Sequence, residues 1–406
     1  MRNAFVAISR TVFNVLYRMQ SKHERRNQVV FLSRQANEPS YDFTELAREF
    51  EVRGWQTTMH LKKVTKRNLI SYTWHVLKEI GLLAHCKAAI LDRYDPIVSL
   101  IDFKYEERSE TDASAGADSL HDEFPAAPVV IQLWHAFGAF KKFGYQSVGT
   151  REGHSARVTE TFNIHRNYSW IVCSGEGARE AFAEAFAYPL DRVVALARPE
   201  FDELAAKRAE LDADASREDA EGKTHTPSVL LAPTLRKSKS SAHPFRELFQ
   251  HADDFEQQLK TACDQAPVAA TWAFHPLEEG LPAPGNASEA LMSCDMVVTD
   301  YSSIAYEAYL LGKLVVFYIP DIDEYSKSPG LNANPQVLCP GICAMDSEEL
   351  LDLASRFLRD PSSYPHEQLE AFAASAFDGP NKSQDDKEAQ PSAASRIVDF
   401  TLSHIR

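Results

Sequence analysis

An α/β protein built from two Rossmann-like domains is what this 406-residue sequence predicts. Its length exceeds one ordinary core and suits two domains of about 150–200 residues each. Short apolar runs alternate with stretches of helical periodicity along most of the chain, the sequence form of a parallel sheet covered by helices. The segment Leu291–Tyr325 shows the unit most plainly. An apolar run at Met296–Val298 meets a tight Asp300-Tyr301-Ser302-Ser303 turn; a helical pattern over Ile304–Leu311 and a second apolar run at Leu314–Ile319 follow. That is strand, turn, helix, strand.

Composition narrows the function. A hydrophobic content of 44% and an aromatic content of 10% describe a soluble globular chain. The formal net charge of −15 argues against nucleic acid as a partner, which needs a basic face. The six cysteines (Cys86, Cys173, Cys263, Cys294, Cys339 and Cys343) are scattered without a C-x-x-C pair. They read as reduced, buried thiols of a cytosolic protein; Cys339 and Cys343 lack the two further ligands of a zinc site. No apolar run approaches the roughly 20 residues of a membrane span. Ser9 and Arg10 interrupt the one candidate for the apolar core of a signal peptide.

Residues 1–27 form a first unit. Phe5, Ile8, Val12, Val15 or Leu16, and Met19 recur at helical spacing, Arg10, Asn14 and Arg18 lie off that stripe, and Lys22, His23, Arg25 and Arg26 follow. A basic amphipathic helix of this kind lies on an anionic membrane or packs on its own protein, and the pattern alone leaves both open. The first domain is expected over 28–205. A β-run at Gln28–Leu32, a helix at about Tyr41–Arg53, a strand at Gln56–Leu61, a helix near Asn68–His85 and a strand at Ala88–Leu91 make a βαβαβ alternation. No G-x-G-x-x-G accompanies the first strand, so the dinucleotide fingerprint is absent. Residues 106–127 are acidic and rich in small side chains, and they read as a mobile insertion. The apolar run from Val129 then delivers His135 to a strand's carboxyl end, where open α/β sheets hold ligands. A histidine there can take a proton from a hydroxyl, and Lys141 and Lys142 can bind phosphate. Read singly, a structural histidine and a solvated lysine pair account for the same letters.

A strand at Trp170–Cys173, a helix at Ala178–Phe186 and a strand at Val193–Leu196 complete this domain, and the charged stretch 206–227 reads as the linker. The second domain is expected over 228–370. Its first strand, Ser228–Ala232, runs into Pro233-Thr234-Leu235-Arg236, and the planar fork of Arg236 suits a diphosphate as well as it suits an ordinary surface. A helix over Phe245–Asp264 and a strand at Val268–Phe274 lead to His275-Pro276. The Asp300–Ser303 turn places two hydroxyls and unpaired backbone N–H groups at a helix start, an arrangement that binds anions. A serine there also caps its own helix. Residues 371–406 read as a tail, mobile within 375–393, that ends in a short amphipathic helix.

The Asp300–Ser303 turn with Phe317-Tyr318, Asp321 and Tyr325 resembles, in order and spacing, the nucleotide-side signature of the CDP-glycerol glycerophosphotransferase family, the teichoic-acid primases and polymerases. Trp134-His135 with Lys141-Lys142-Phe143-Gly144 is similar to that family's Trp-His and Lys-Lys-x-Gly motif. Ala232-Pro233-Thr234 with Arg236 looks like its Ala-Pro-Thr-Trp-Arg, and His275-Pro276 like its His-Pro pair. The chain departs from the pattern at Leu235, where the family carries an aromatic, and at Ala136-Phe137-Gly138, where Gly-Thr-Pro is usual. A glycine usual upstream of Arg198 and Asp202 is also missing.

The resemblance spans residues 28–360 and implies a GT-B architecture, two domains facing across a cleft with acceptor on the first and donor on the second. It implies transfer of glycerol phosphate or ribitol phosphate from CDP-glycerol or CDP-ribitol to a hydroxyl of a lipid-linked or polyol-phosphate glycan acceptor, with release of CMP. It makes His135 the general base and His275 a second catalytic residue. Thr234, Arg236, Asp300, Ser302 and Ser303 become the donor site, and Lys141 and Lys142 contacts to acceptor or phosphate. It tilts residues 2–26 toward an anionic membrane surface, so the protein is expected in the cytoplasm, peripheral on the inner face of the cell membrane. Neither a metal nor another cofactor is expected. Glycosyl transfer or epimerisation of a sugar nucleotide on the same fold, and a non-catalytic membrane-associated binding role, are the alternatives.

Overall fold

The computed structural model describes residues 2–21, 24–64, 69–103, 127–150, 153, 155–221, 225–236, 243–263, 268–275, 278, 281, 287–378 and 391–405. The insertion expected at 106–127, apart from Ala127, and most of 375–393 lie outside them. Six strands form one parallel sheet: β1 (Arg26–Ser33), β2 (Gln56–Leu61), β3 (Cys86–Leu91), β4 (Val129–Gln132), β5 (Trp170–Cys173) and β6 (Val193–Ala195). Their spatial order is β2-β1-β3-β4-β5-β6. Five more form a second parallel sheet: β7 (Ser228–Leu231), β8 (Ala269–Trp272), β9 (Met296–Thr299), β10 (Leu314–Tyr318) and β11 (Cys343–Ala344), in the order β11-β10-β9-β7-β8.

Both sheets reverse direction after their second strand, so each has a switch point: between β1 and β3 in the first, between β7 and β9 in the second. Ligands of open α/β sheets sit outside the strand carboxyl ends at such points. The strands read as nearly continuous apolar runs because helices cover both faces. In β1, Val30 and Leu32 enter one core with Ala89 and Val130, while Val29 and Phe31 enter another with Phe43, Phe50 and Ile90. All of β9 and β10 is buried.

One element differs from the sequence expectation and two extend it. The helix expected over Phe245–Asp264 is two, Pro244–Phe249 and Ala252–Ala262, because Phe249 turns onto Trp272 and Phe274 with centroids at 5.1 and 5.3 Å. The helix Pro199–Glu221 continues well into the stretch read as linker. Strong helix formers and pairs such as Lys207–Glu203 (2.5 Å) sustain it without an apolar stripe. The chain's last helix, Ala393–Ser403, returns to the first sheet. There Ala394, Ile397 and Val398 join Phe43 and Leu46, and Asp399 pairs with Arg53 at 2.9 Å.

The N-terminal helix Arg2–Gln20 packs on the helix Leu69–His85. Polar contacts dock one side of it: Asn14 Nδ2 donates to the Leu100 carbonyl (3.1 Å), and Arg25 Nη2 to the Tyr17 hydroxyl (2.7 Å). Ile8, Val12, Val15 and Met19 point away from the protein, 46–65% exposed. On the neighbouring helix Trp74 is 73% exposed. Among the described residues no helix is long and apolar enough to cross a membrane.

Candidate active site

β4 hands the chain to a turn that Gln132 organises. Its Nε2 donates to the Arg93 carbonyl (3.2 Å), and its Oε1 accepts from the Trp134 backbone N–H (2.9 Å). Trp134 adopts φ +62°, a left-handed conformation that costs an ordinary residue about 1–2 kcal/mol. Backbone strain of this kind collects at functional sites. Stacking on Phe143 (4.8 Å) and an edge contact with Phe186 (5.2 Å) hold the indole in place. The turn projects His135 from the strand end.

His135 is exposed at the strand end, while the protein around the ring partly desolvates it. The Asp92 backbone favours the protonated ring, but less than the effects that oppose it. Desolvation by the surrounding protein, then the guanidinium charges of Arg93 and Arg198, push its pKa down to about 3. The imidazole is therefore neutral, the form a general base requires.

Directly after His135 the chain crosses to the second half. Phe140 inserts into that half's core against Phe372 (4.9 Å) and Phe317 (5.9 Å). Gly138 lies so close to Tyr306 that a Cβ would meet the ring at 2.5 Å. Lys141 pairs through its backbone with Leu331, the Lys142 N–H donates to the Gly330 carbonyl (3.0 Å), and the Lys142 stem lies over Gly330. The lysine pair thus belongs to a bridge between the halves. Tyr306 sits on the helix Ile304–Leu310, one turn beyond Ser303. His135 and the Ser302-Ser303 turn are therefore each three residues from a point of van der Waals contact, a chain reach of about 10 Å apiece.

Arg236 and Asp300 organise the second switch point. Asp300, 1% exposed, accepts from the backbone N–H groups of Thr234 (2.8 Å) and Tyr301 (2.7 Å) and from Arg236 Nη2 (2.8 Å). Arg236 also pairs with Asp321 (3.1 Å), and its guanidinium lies over the Tyr325 ring at 4.5 Å. Tyr325 stacks on Tyr301 (3.9 Å), whose hydroxyl donates to Asp321 (3.0 Å). The fork of Arg236 is thus engaged with two carboxylates of its own protein. Ser302 and Ser303 are half-buried at the helix start. Ser302 Oγ makes only a long bond from the Ile304 N–H (3.5 Å), and Ser303 makes no side-chain cap bond. His275, exposed, follows β8 on the sheet's edge, next to β7.

Buried polar atoms are paired almost everywhere in folded proteins. Among the described residues, twelve buried side-chain polar atoms lack a hydrogen bond of ordinary geometry. Eight lie around the first switch point, Arg34 Nε, Asp92 Oδ1 and Arg93 Nε among them; four lie at the second, on Thr234, Arg236 and His243. Sequence reasoning passed over Arg34, Asp92, Arg93 and His243. Their signal was position just past strand ends and, for His243, a second His-Pro pair echoing His275-Pro276. A group with metal-ligand chemistry, His60, His75 and Glu79, lies in the first half within 4.8 Å. Its two rings stack in parallel at 3.6 Å, so their in-plane lone pairs do not converge on one ion. His154 lies outside the described residues, whereas His165 is buried with Nδ1 3.1 Å from the Tyr168 hydroxyl.

The family model for CDP-glycerol:poly(glycerophosphate) glycerophosphotransferase matches residues 15–390. The chain belongs to this family. It is a transferase, and its fold is that of the wall teichoic acid polymerase TagF. That structure superposes with a TM-score of 0.65 at 15% identity, over 100% of this chain and 96% of the other. Among curated relatives from Bacillus spizizenii, the chain is 26% identical to a teichoic acid ribitol-phosphate primase, over 100% of this chain and 99% of the relative. It is 29% identical to a teichoic acid poly(ribitol-phosphate) polymerase over 66% of this chain, and spans 42% of that relative's length. One departure of the transferase from the family pattern gains a physical meaning. The residue before Arg198 is Ala197, at φ +60°, a conformation glycine adopts without strain.

Proposed function

We propose that this transferase moves a polyol phosphate, glycerol phosphate or ribitol phosphate, from a CDP-activated donor to an acceptor hydroxyl in the synthesis of a teichoic-acid-like surface polymer. The observation that carries the reading is His135. It is neutral and tied through Gly138 to the helix that follows Ser302-Ser303. The acceptor is a lipid-linked or polyol-phosphate glycan. Its hydroxyl oxygen attacks the phosphorus that carries the polyol, and His135 takes the hydroxyl proton. The bond from that phosphorus to the bridging oxygen breaks, and CMP leaves with the electron pair. A new phosphodiester joins polyol to acceptor, and the imidazolium returns its proton to solvent.

Two parallel sheets, each with its own switch point, support a GT-B arrangement, with acceptor on the first half and donor on the second. Ser302, Ser303, Thr234 and His275 are the groups proposed to meet the donor diphosphate. His275 is also proposed as a second catalytic residue, while Arg236 and Asp300 shape the site through each other. Lys141 and Lys142 are proposed to contact the acceptor or a phosphate. The chemistry is mainly positioning and charge stabilisation. The test is CMP release from CDP-glycerol and CDP-ribitol, each with a lipid-linked acceptor. Acceptor-dependent release from one donor is expected; release from neither, or release indifferent to acceptor, would remove the proposal.

The same reading puts the protein at the cytoplasmic face of an anionic membrane. The outward stripe Ile8, Val12, Val15 and Met19, with Trp74 beside it and Arg18 and Lys78 exposed nearby, supports interfacial binding. In a flotation assay, vesicles rich in phosphatidylglycerol are expected to carry the wild type. Replacing Val12 and Met19 by glutamate is expected to weaken that binding by about 10-fold or more. Equal flotation of both proteins would count against the membrane role.

A further inference from the structure

We infer that Gln132 is a positioning residue for the reaction: its buried amide fixes the left-handed turn at Trp134 and, through the Trp134 ring, the direction in which His135 faces. This rests on the reading of His135 as the base. Gln132 is the last residue of β4 and is fully buried. Its backbone lies between Leu91 of β3 and Ile171 of β5, in the interior of the first sheet. An amide in such a place is costly unless its polar groups are bonded. Here both ends are used, and neither serves the strand ladder. Oε1 accepts from the Trp134 N–H (2.9 Å), and Nε2 donates to the Arg93 carbonyl (3.2 Å). One side chain thereby joins the two segments that leave β3 and β4.

The turn has need of this clamp. At φ +62° Trp134 holds a conformation that residues other than glycine seldom adopt, so a bond to its N–H decides whether the turn keeps its shape. The indole passes that shape on to the base: it stacks on Phe143 at 4.8 Å, and its centroid lies 4.2 Å from that of the His135 ring. A second support stands behind Gln132. The buried Tyr168 hydroxyl lies beside the Gln132 amide and 3.1 Å from His165 Nδ1, and the His165 ring stands edge-on to Trp134 at 6.2 Å. A general base acts only when its lone pair is within hydrogen-bond reach of the proton it takes. Loss of the amide therefore falls on the chemical step and not on the binding of either substrate.

The test compares wild type with Gln132→Met, which keeps the length of the side chain and removes both hydrogen bonds. With a lipid-linked acceptor, kcat for CMP release is expected to fall about 10- to 100-fold, with donor KM and acceptor KM each within about twofold of wild type. Gln132→Glu, whose acid form can accept from the Trp134 N–H and donate to the Arg93 carbonyl, is expected to recover part of the loss. The deciding comparison is made in the His135→Ala background. There Gln132→Met is expected to change the residual kcat by less than about twofold, because the group it positions is gone. An amide that only supports the fold would lower kcat by the same factor in both backgrounds. Should Gln132→Met not fold, Gln132→Asn, too short to make both bonds, carries the same comparison. An unchanged kcat, a loss expressed in either KM, or equal factors in the two backgrounds would overturn the assignment. Full activity in His135→Ala would remove the base reading instead, and the assignment with it.

Discussion

His135→Ala is expected to lower kcat for transfer by about 10²–10⁴-fold, with the KM for the CDP-activated donor changed by no more than about twofold. The imidazole acts on the proton of the attacking hydroxyl and not on the ground-state donor, so its loss falls on the chemical step. The pH dependence carries a second signature. Protonation removes the base, so activity falls as pH drops through the His135 pKa. In the free enzyme that value is pushed down to about 3, so the acid limb of kcat/KM is expected well below the ordinary histidine range. A bound diphosphate brings negative charge that favours the imidazolium, so the acid limb of kcat is expected at higher pH than that of kcat/KM. Removing the Arg93 charge moves both limbs upward, because a cation beside the ring disfavours its protonation. Full activity in His135→Ala, or limbs that coincide near the ordinary histidine value, would reassign the base.

Arg236→Ala is expected to destabilise the second half by about 3–5 kcal/mol, read as the shift of its unfolding transition in denaturant. The guanidinium lies between the buried carboxylates of Asp300 and Asp321, and without it two like charges face each other. Burial also pushes the Asp321 pKa up, the mark of a carboxylate that depends on this partner. Arg236→Lys is expected to recover little, since an ammonium reproduces neither the planar fork nor the stacking over Tyr325 at 4.5 Å. A combined Arg236→Met and Asp300→Asn variant is expected to regain part of the stability by removing charge from both sides. A loss below about 1 kcal/mol in Arg236→Ala would mean that solvent reaches the cluster.

Much of this architecture was legible because it is local. A buried parallel strand announces itself as an apolar run, and the residues just past its carboxyl end follow in order along the chain. Hence His135, Thr234, Arg236 and the Asp300–Ser303 turn could be singled out from their letters, and the two sheets place each of them at a strand end. How far the helix Pro199–Glu221 extends into the stretch expected as helix tail and linker was less legible, because a solvated helix held by propensity and ion pairs needs no apolar periodicity.

By itself, then, the sequence set the βα alternation, the register of buried and exposed faces, and the chemistry available at each strand end. Only the tertiary structure decided how those chemistries are used. It closed the Arg236 fork on Asp321, which lies 85 positions further along the chain, and sent Phe140 into the core of the opposite half. It also turned the Ile8–Met19 stripe outward and, among the described residues, left the buried Arg93 Nε without a hydrogen-bond partner. The physical reason is range. Helix and strand formation depends on neighbours a few residues away, whereas the pairing of a buried charge depends on partners that folding brings together from distant parts of the chain.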